Sequence, residues 1–264
     1  MHRYLRIAFL LLLLSSSFAS KSADGEKKHR LYFEWGYNLD WYSKSTITFK
    51  GSSNAEHPYD FVVTDVKAND EFRGDKMVTE PFVSQYSFRI GYLFNAAKGL
   101  GIEFNFDHSK YVVSKGQTAH AEGSINEQYF NCDTAINEPF LLFEHTNGAN
   151  FAMLNFVKEK TIHSSANKKF SLVHTMKGGA GIVVPKTYIL IDGQDLDNDF
   201  HVAGFVAGVE TGLKAFYKDH FYFNLAGKAC YADYKNALGL GNGKVSHHFF
   251  AYEALFTLGY QLAL

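Results

Sequence analysis

The stretch Leu31-Tyr-Phe-Glu-Trp-Gly-Tyr-Asn-Leu-Asp-Trp41 alternates almost without fault. Leu31, Phe33, Trp35, Tyr37, Leu39 and Trp41 form one set; Tyr32, Glu34, Gly36, Asn38 and Asp40 form the other. Neighbouring side chains of a strand point to opposite faces, so this period predicts a strand with one apolar and one polar face. The last segment repeats the pattern. His248, Phe250, Tyr252, Ala254, Phe256, Leu258, Tyr260, Leu262 and Leu264 fall on one side, with Phe249, Glu253, Thr257, Gly259 and Gln261 on the other. Soluble strands average about 5 to 6 residues, whereas a strand crossing a bilayer needs about 9 to 11. The alternation here runs longer than a soluble strand requires.

Charges recur along the polar faces, at Glu34, Asp40, Arg89, Glu103, Asp107, Glu210, Lys228 and Glu253. Apolar faces rich in Tyr, Trp and Phe, opposed by charged ones, predict an all-β fold: an antiparallel transmembrane β-barrel. In lipid the backbone finds no water to bond, so such a sheet must close on itself. Candidate strands are 30–50, 82–95, 99–115, 138–158, 168–185, 200–216, 219–235 and 246–264. That is about eight strands, or ten if Asp60 to Val66 is an extra one in the first loop. The short connections at 95–100 and 217–220 suit periplasmic turns. The longer polar ones at 51–81, 116–137, 186–199 and 236–245 suit extracellular loops. The interior of an eight-strand barrel is just wide enough for side chains. Arg89 and Lys228 are therefore expected to pair with Glu34, Glu103, Glu210 and Glu253 and fill it, leaving no open pore.

The N-terminus reads as a signal peptide over residues 1–19: a basic start, an apolar Ile7–Leu14, and small Ser17 and Ala19 before the cut. Residues 20–29 would then be an N-terminal periplasmic segment and 30–264 the barrel, in the outer membrane of a Gram-negative bacterium. The formal net charge of -1 gives no reason to expect nucleic acid. Expected partners are outer-membrane lipids, lipopolysaccharide and the outer-membrane assembly machinery; the chain is expected to be a monomer, with no cofactor and no metal. Cys132 and Cys230 are the two cysteines, and an exported chain leaves open whether they pair.

Polar residues gather near the outer strand ends: Asp107 with His108, Glu144 with His145, Asp199 with His201, and His247 with His248. A catalytic histidine wants a carboxylate to orient it. On that reading His145 is the base and Glu144 or Glu253 its partner, while His108, Asn147, His201 and His248 are candidate ligand-binding residues. The competing readings are a metal site and a polar rim meeting lipid head groups. The acidic run Asp192–Asp199 lacks the glycine and final glutamate of an EF-hand loop. Leu238–Gly243 follows a strand without opening a helix, which argues against phosphate binding.

Across nearly all of 30–264 the pattern resembles the small outer-membrane barrels of Gram-negative bacteria. The final Tyr-Gln-Leu-Ala-Leu264 resembles their C-terminal assembly signal, with Leu in place of the usual Phe. The window His145-Thr-Asn-Gly148 resembles the His-x-Ser-Asn site of lipid A deacylase barrels. That resemblance implies eight strands and a membrane-facing site that cleaves an ester-linked acyl chain. Asn147 stands at the nucleophile position, and Thr146 is one place off. Glu159 follows fourteen residues on, about 45 Å away if one strand runs through. The expected role is thus a porin-like surface barrel that is structural or binds a ligand or lipid. The alternatives are a lipid A or phospholipid acyl hydrolase, or lateral passage of small apolar molecules.

Overall fold

The computed structural model describes residues 29–51 and 57–264; the expected signal peptide and nearly all of 20–29 lie outside the described residues. The first half of the chain forms β1 (Arg30–Tyr42), β2 (Ser45–Lys50), β3 (Tyr59–Val66), β4 (Ala68–Asn69), β5 (Tyr86–Asn95), β6 (Leu100–His108), β7 (Tyr111–Val113), β8 (Thr118–Ile125) and β9 (Gln128–Ala135). The second forms β10 (Leu141–His145), β11 (Phe151–Ser164), β12 (Phe170–Val183), β13 (Lys186–Ile191), β14 (Gln194–Phe200), β15 (Gly204–Tyr217), β16 (Phe221–Leu238) and β17 (Lys244–Ala263).

The antiparallel pairings run β1–β5–β6–β11–β12–β15–β16–β17, and β17 pairs again with β1, so the sheet closes into a barrel. The closing register is continuous from Arg30 opposite Ala263 to Tyr42 opposite Ala251. Three tight turns lie at one end. In the 217–221 turn three residues separate the paired Tyr217 and Phe221, and Lys218 and Asp219 take φ 53° and 57°, the left-handed backbone that matches the twist of the flanking strands. All long connections leave from the other end.

The faces of this barrel are inverted relative to a soluble protein. Outward positions carry apolar side chains, with Phe156 75% and Leu258 68% exposed, while Glu34, Arg89, Glu103 and Lys214 inside are essentially fully buried. Alternation dictates this directly: each strand sends every second side chain inward. Two inward tyrosines lie across glycines of the neighbouring strand. A Cβ at Gly91 would fall 2.0 Å from Tyr32 Cζ, and one at Gly259 would fall 2.1 Å from Tyr222 Cζ. Each ring thus fills the space that the glycine leaves, and carries its hydroxyl to Glu103 (2.7 Å) or Glu34 (3.0 Å). Gly91→Val is expected to displace Tyr32 and lower the temperature of heat-induced gel mobility change. An unchanged transition would contradict this packing.

Among the described residues the strands number seventeen where the alternation predicts about eight long ones. The surplus arises because three expected strands break and the loops form sheets of their own. Segment 30–50 divides at Ser43-Lys44 into β1 and β2; 99–115 divides into β6 and β7; 138–158 divides at 146–150 into β10 and β11. β2 leaves the ring and pairs with the end of β17, at His247 opposite Ile47, and β3, β8 and β9 extend that sheet. The expected extra strand at 60–66 is β3, outside the ring. A second sheet, β14-β13-β10-β7-β4, packs against this extension. Between them lies an apolar core, in which Phe49 stacks on Phe61 (4.8 Å) and meets Phe143 edge-on (5.4 Å). The long connections therefore form a folded cap with its own core. Cys132 and Cys230 are free thiols, the first exposed on β9 and the second buried on β16.

Candidate functional site

Two polar clusters stand out, one inside the barrel and one inside the cap. In the barrel, Arg89 of β5 reaches Glu210 (2.9 Å), Asp107 (3.5 Å) and Glu103 (3.6 Å). Lys177 bridges Glu103 (2.7 Å) and Glu210 (3.1 Å). Lys228 bridges Asp107 (2.5 Å) and Glu253 (3.0 Å), and Lys214 bridges Glu34 and Glu159, both at 2.9 Å. Every one of these side chains is nearly or fully buried. Charges taken out of water stay ionised only when paired and hydrogen-bonded, and alternating signs along this column supply the pairing. Asn105, Asn155, Asn224 and Thr257 fill the spaces between them. The pairing of Lys228 with Glu253, and of Arg89 with Glu103 and Glu210, is as the alternation predicts. Lys177 and Lys214 escape the sequence reading, although Lys214 shares the polar phase of Glu210 four residues before it, and Glu159 enters that reading only in relation to His145.

In the cap, β10 turns His145 inward, where it is fully buried. Its ring stacks on Tyr234 (centroids 5.1 Å, 19° between planes) and meets Phe143 edge-on at 5.0 Å. Its Nε2 lies 3.3 Å from Nε2 of His247, and its Nδ1 lies 3.1 Å from the Thr187 hydroxyl. One of the two facing nitrogens must carry a proton for the other to accept. Tyr111 and Phe249 complete the aromatic wall around His247. Burial with no countercharge pushes His145 down to about 3. His247, on the part of β17 that pairs with β2 beyond the last β1 pair, is also held well below the usual range, by burial first and then by repulsion from His145 and His248.

This environment corrects the expected catalytic grouping. Glu144 is the next residue along β10 and therefore sits on the opposite face, where burial raises its carboxyl. Glu253 lies in the barrel column against Lys228 and the Cys230 thiol. Neither hydrogen-bonds His145, whose polar partners are Thr187 and His247. Nor does β10 run on into β11, so the continuous strand from 145 to 158 is absent. Glu159 lies in the barrel, bonded to Lys214.

The expected ligand-binding residues do not converge. His108 stacks on Tyr86 and bonds Asn150 at 2.8 Å. Asn147 is exposed in the turn after β10. His201 meets the Asn236 amide at 3.3 Å, and His248 points outward beside Tyr231. Asp192–Asp199 forms the β13–β14 hairpin, with Lys186 on Asp197 at 2.7 Å. Among the described residues no group of three or more His, Cys, Asp or Glu side chains is arranged to hold a metal.

No family model matches the chain, and no curated protein matches it. Among solved structures the chain is similar to the outer membrane protein OprG from Pseudomonas aeruginosa, at 12% identity over 91% of this chain and 99% of that one, with a TM-score of 0.39. It is similar to Neisserial surface protein A at 9% identity over 91% and 100%, with a TM-score of 0.36. It is also similar to Ail of Yersinia pestis at 10% identity over 89% and 99%, with a TM-score of 0.31. At these values no activity or ligand passes from those proteins to this one, and the chain's own residues carry the functional reading.

Proposed function

We propose that the protein is an outer-membrane β-barrel of eight strands that anchors a folded extracellular cap, with a structural or ligand- and lipid-binding role. The observation that carries this is the inverted barrel wall: apolar side chains outward, a continuous column of ion pairs inward. Apolar residues exposed around a closed sheet belong against lipid. Filling of the lumen by Arg89, Lys177, Lys214, Lys228 and their carboxylates leaves no water-filled path. The surface open to a partner is then the cap above the long-connection end, within reach of lipopolysaccharide. Lipids of the outer membrane are the first partners, and the barrel serves as a monomer. His145 has no orienting carboxylate, and the one hydroxyl bonded to it among the described residues, that of Thr187, is buried away from lipid, so the site gives acyl hydrolysis no support.

Topology is tested with the native thiols. A membrane-impermeant maleimide applied to intact cells is expected to label Cys132, to lose that label in Cys132→Ser, and to keep it in Cys230→Ser. Labelling of Cys132 only after the outer membrane is permeabilised would place the cap on the wrong side and overturn the reading.

A further inference from the structure

At the mouth of the barrel four separate stretches bring oxygen atoms to one point. Asn38 and Asp40 share the inward face of β1, Asp70 follows β4, Gln85 precedes β5, and Ser109 follows β6. Asp40 receives the Asn38 amide nitrogen at 3.1 Å on both carboxylate oxygens, the Gln85 amide nitrogen at 2.9 Å and the Tyr42 hydroxyl at 3.2 Å. Gln85 also donates to Asp70 at 3.3 Å, the Asp40 backbone N–H donates to Asp70 at 2.8 Å, and Asn38 donates to the Ser109 hydroxyl at 3.2 Å. Asn38, Gln85 and Ser109 are fully buried and Asp40 nearly so. Asp70, partly exposed, forms the side nearest solvent.

Two features separate this cluster from the ion-pair column below it. First, Glu34, Glu103, Asp107, Glu159, Glu210 and Glu253 each lie within 3.0 Å of a buried Lys or Arg. Among the described residues Asp40 has no basic side chain within 4.0 Å. Second, the amide oxygens of Asn38 and Gln85 are buried with no hydrogen-bond partner in the protein. Such a carbonyl oxygen costs about 1 to 3 kcal/mol to leave unpaired, and both belong to amides already seated against the Asp40 carboxylate. Turning either amide about its last bond exchanges nitrogen for oxygen. That places a carbonyl oxygen about 3 Å from the Asp40 oxygens, the spacing of neighbouring ligands around a cation bound at about 2.3 to 2.6 Å.

We propose that Asp40, Asp70, Asn38 and Gln85 form a site for a calcium-sized divalent cation that ties the connection between β4 and β5 to the barrel mouth. Both carboxylates and both amide oxygens, with the Ser109 hydroxyl in reach, approach the about 6 to 8 oxygens such an ion takes. The ion supplies the positive charge that Asp40 lacks and satisfies both orphan carbonyls at once.

The test is calorimetric titration of calcium chloride into the full-length, chelator-treated protein in detergent, with heat-modifiable mobility as the check of folding. One saturable site is expected. Asp40→Asn should weaken it at least tenfold, and Gln85→Glu should tighten it about tenfold by adding a ligand charge. Asp195→Asn, in the exposed acidic hairpin, should leave it unchanged. Gln85→Leu keeps both carboxylates and should also weaken binding, which guards against misfolding of the Asp40 variant. Absence of a saturable site in the folded protein overturns the proposal, as does binding that neither Asp40→Asn nor Gln85→Leu alters, since surface carboxylates would then account for it.

Discussion

Replacing Arg89 by methionine is expected to cost about 3 to 5 kcal/mol of folding stability, the usual consequence of breaking a buried ion pair from one side. Arg89 is fully buried and is, among the described residues, the one guanidinium in contact with Glu103, Asp107 and Glu210. Its removal leaves three carboxylates to Lys177 and Lys228 alone, in a space that excludes water. Against total stabilities of about 5 to 15 kcal/mol, this is a large share. The double variant Arg89→Met with Glu210→Met should lose clearly less than the sum of the singles, because each partner's removal relieves the charge the other leaves behind. Urea titration in detergent, read by the mobility of folded and unfolded bands, measures both. A loss below about 1 kcal/mol for Arg89→Met would mean that water reaches the column and screens it.

The second large effect concerns the cap and pH. His145 is neutral in the folded protein because its folded-state value lies near 3, below the about 6.5 of an unfolded histidine. The unfolded chain therefore binds more protons between these two values. Stability from this group is complete above about pH 6.5 and is lost as pH falls, by about 1.4 kcal/mol per unit. At pH 4.5 that amounts to roughly 2 to 3 kcal/mol from His145 alone. His247 adds to it in the same direction. The groups that face the pair, Tyr111 of β7, Tyr234 of β16 and Thr187 of β13, offer no negative charge to hold a protonated ring, and His248 adjoins His247 on β17. The cap is expected to loosen before the barrel. Near-ultraviolet circular dichroism of its aromatic core should fall between pH 6.5 and 4.5 while the far-ultraviolet strand signal persists. The His145→Phe, His247→Phe double variant should be flat over that range. An equal pH response in wild type and double variant would remove the histidine pair as its cause.

The barrel was legible because lipid and backbone impose strict rules. Every second residue of a wall strand must be apolar, so Leu31 to Trp41 and His248 to Leu264 declare their faces. The breaks were harder to read. Nothing in the alternation distinguishes a strand that stays in the ring from one that leaves it, as β2 does after Ser43-Lys44. The phase of β10 relative to β11 is lost across the turn at 146–150, so the surroundings of His145 were hidden. Its own sequence neighbour Glu144 suggested a pair, yet neighbours on a strand face apart. The true partner, His247, lies 102 residues away. Lys177 and Lys214 sat in polar phase all along, but their targets depend on strand order around the ring. The cluster at Asp40 draws on four stretches and two amides, residue types that carry no signal until the chain folds.

A lumen filled by paired side chains leaves ions no path across the membrane, and conductance tests this most directly. Purified protein reconstituted into a planar bilayer, with insertion verified by heat-modifiable mobility of the same preparation, is expected to give no stepwise ion current above the bare membrane. Discrete, reproducible channel openings would contradict the filled column of Arg89, Lys177, Lys214 and Lys228, and with it the reading of the barrel as an anchor for its cap.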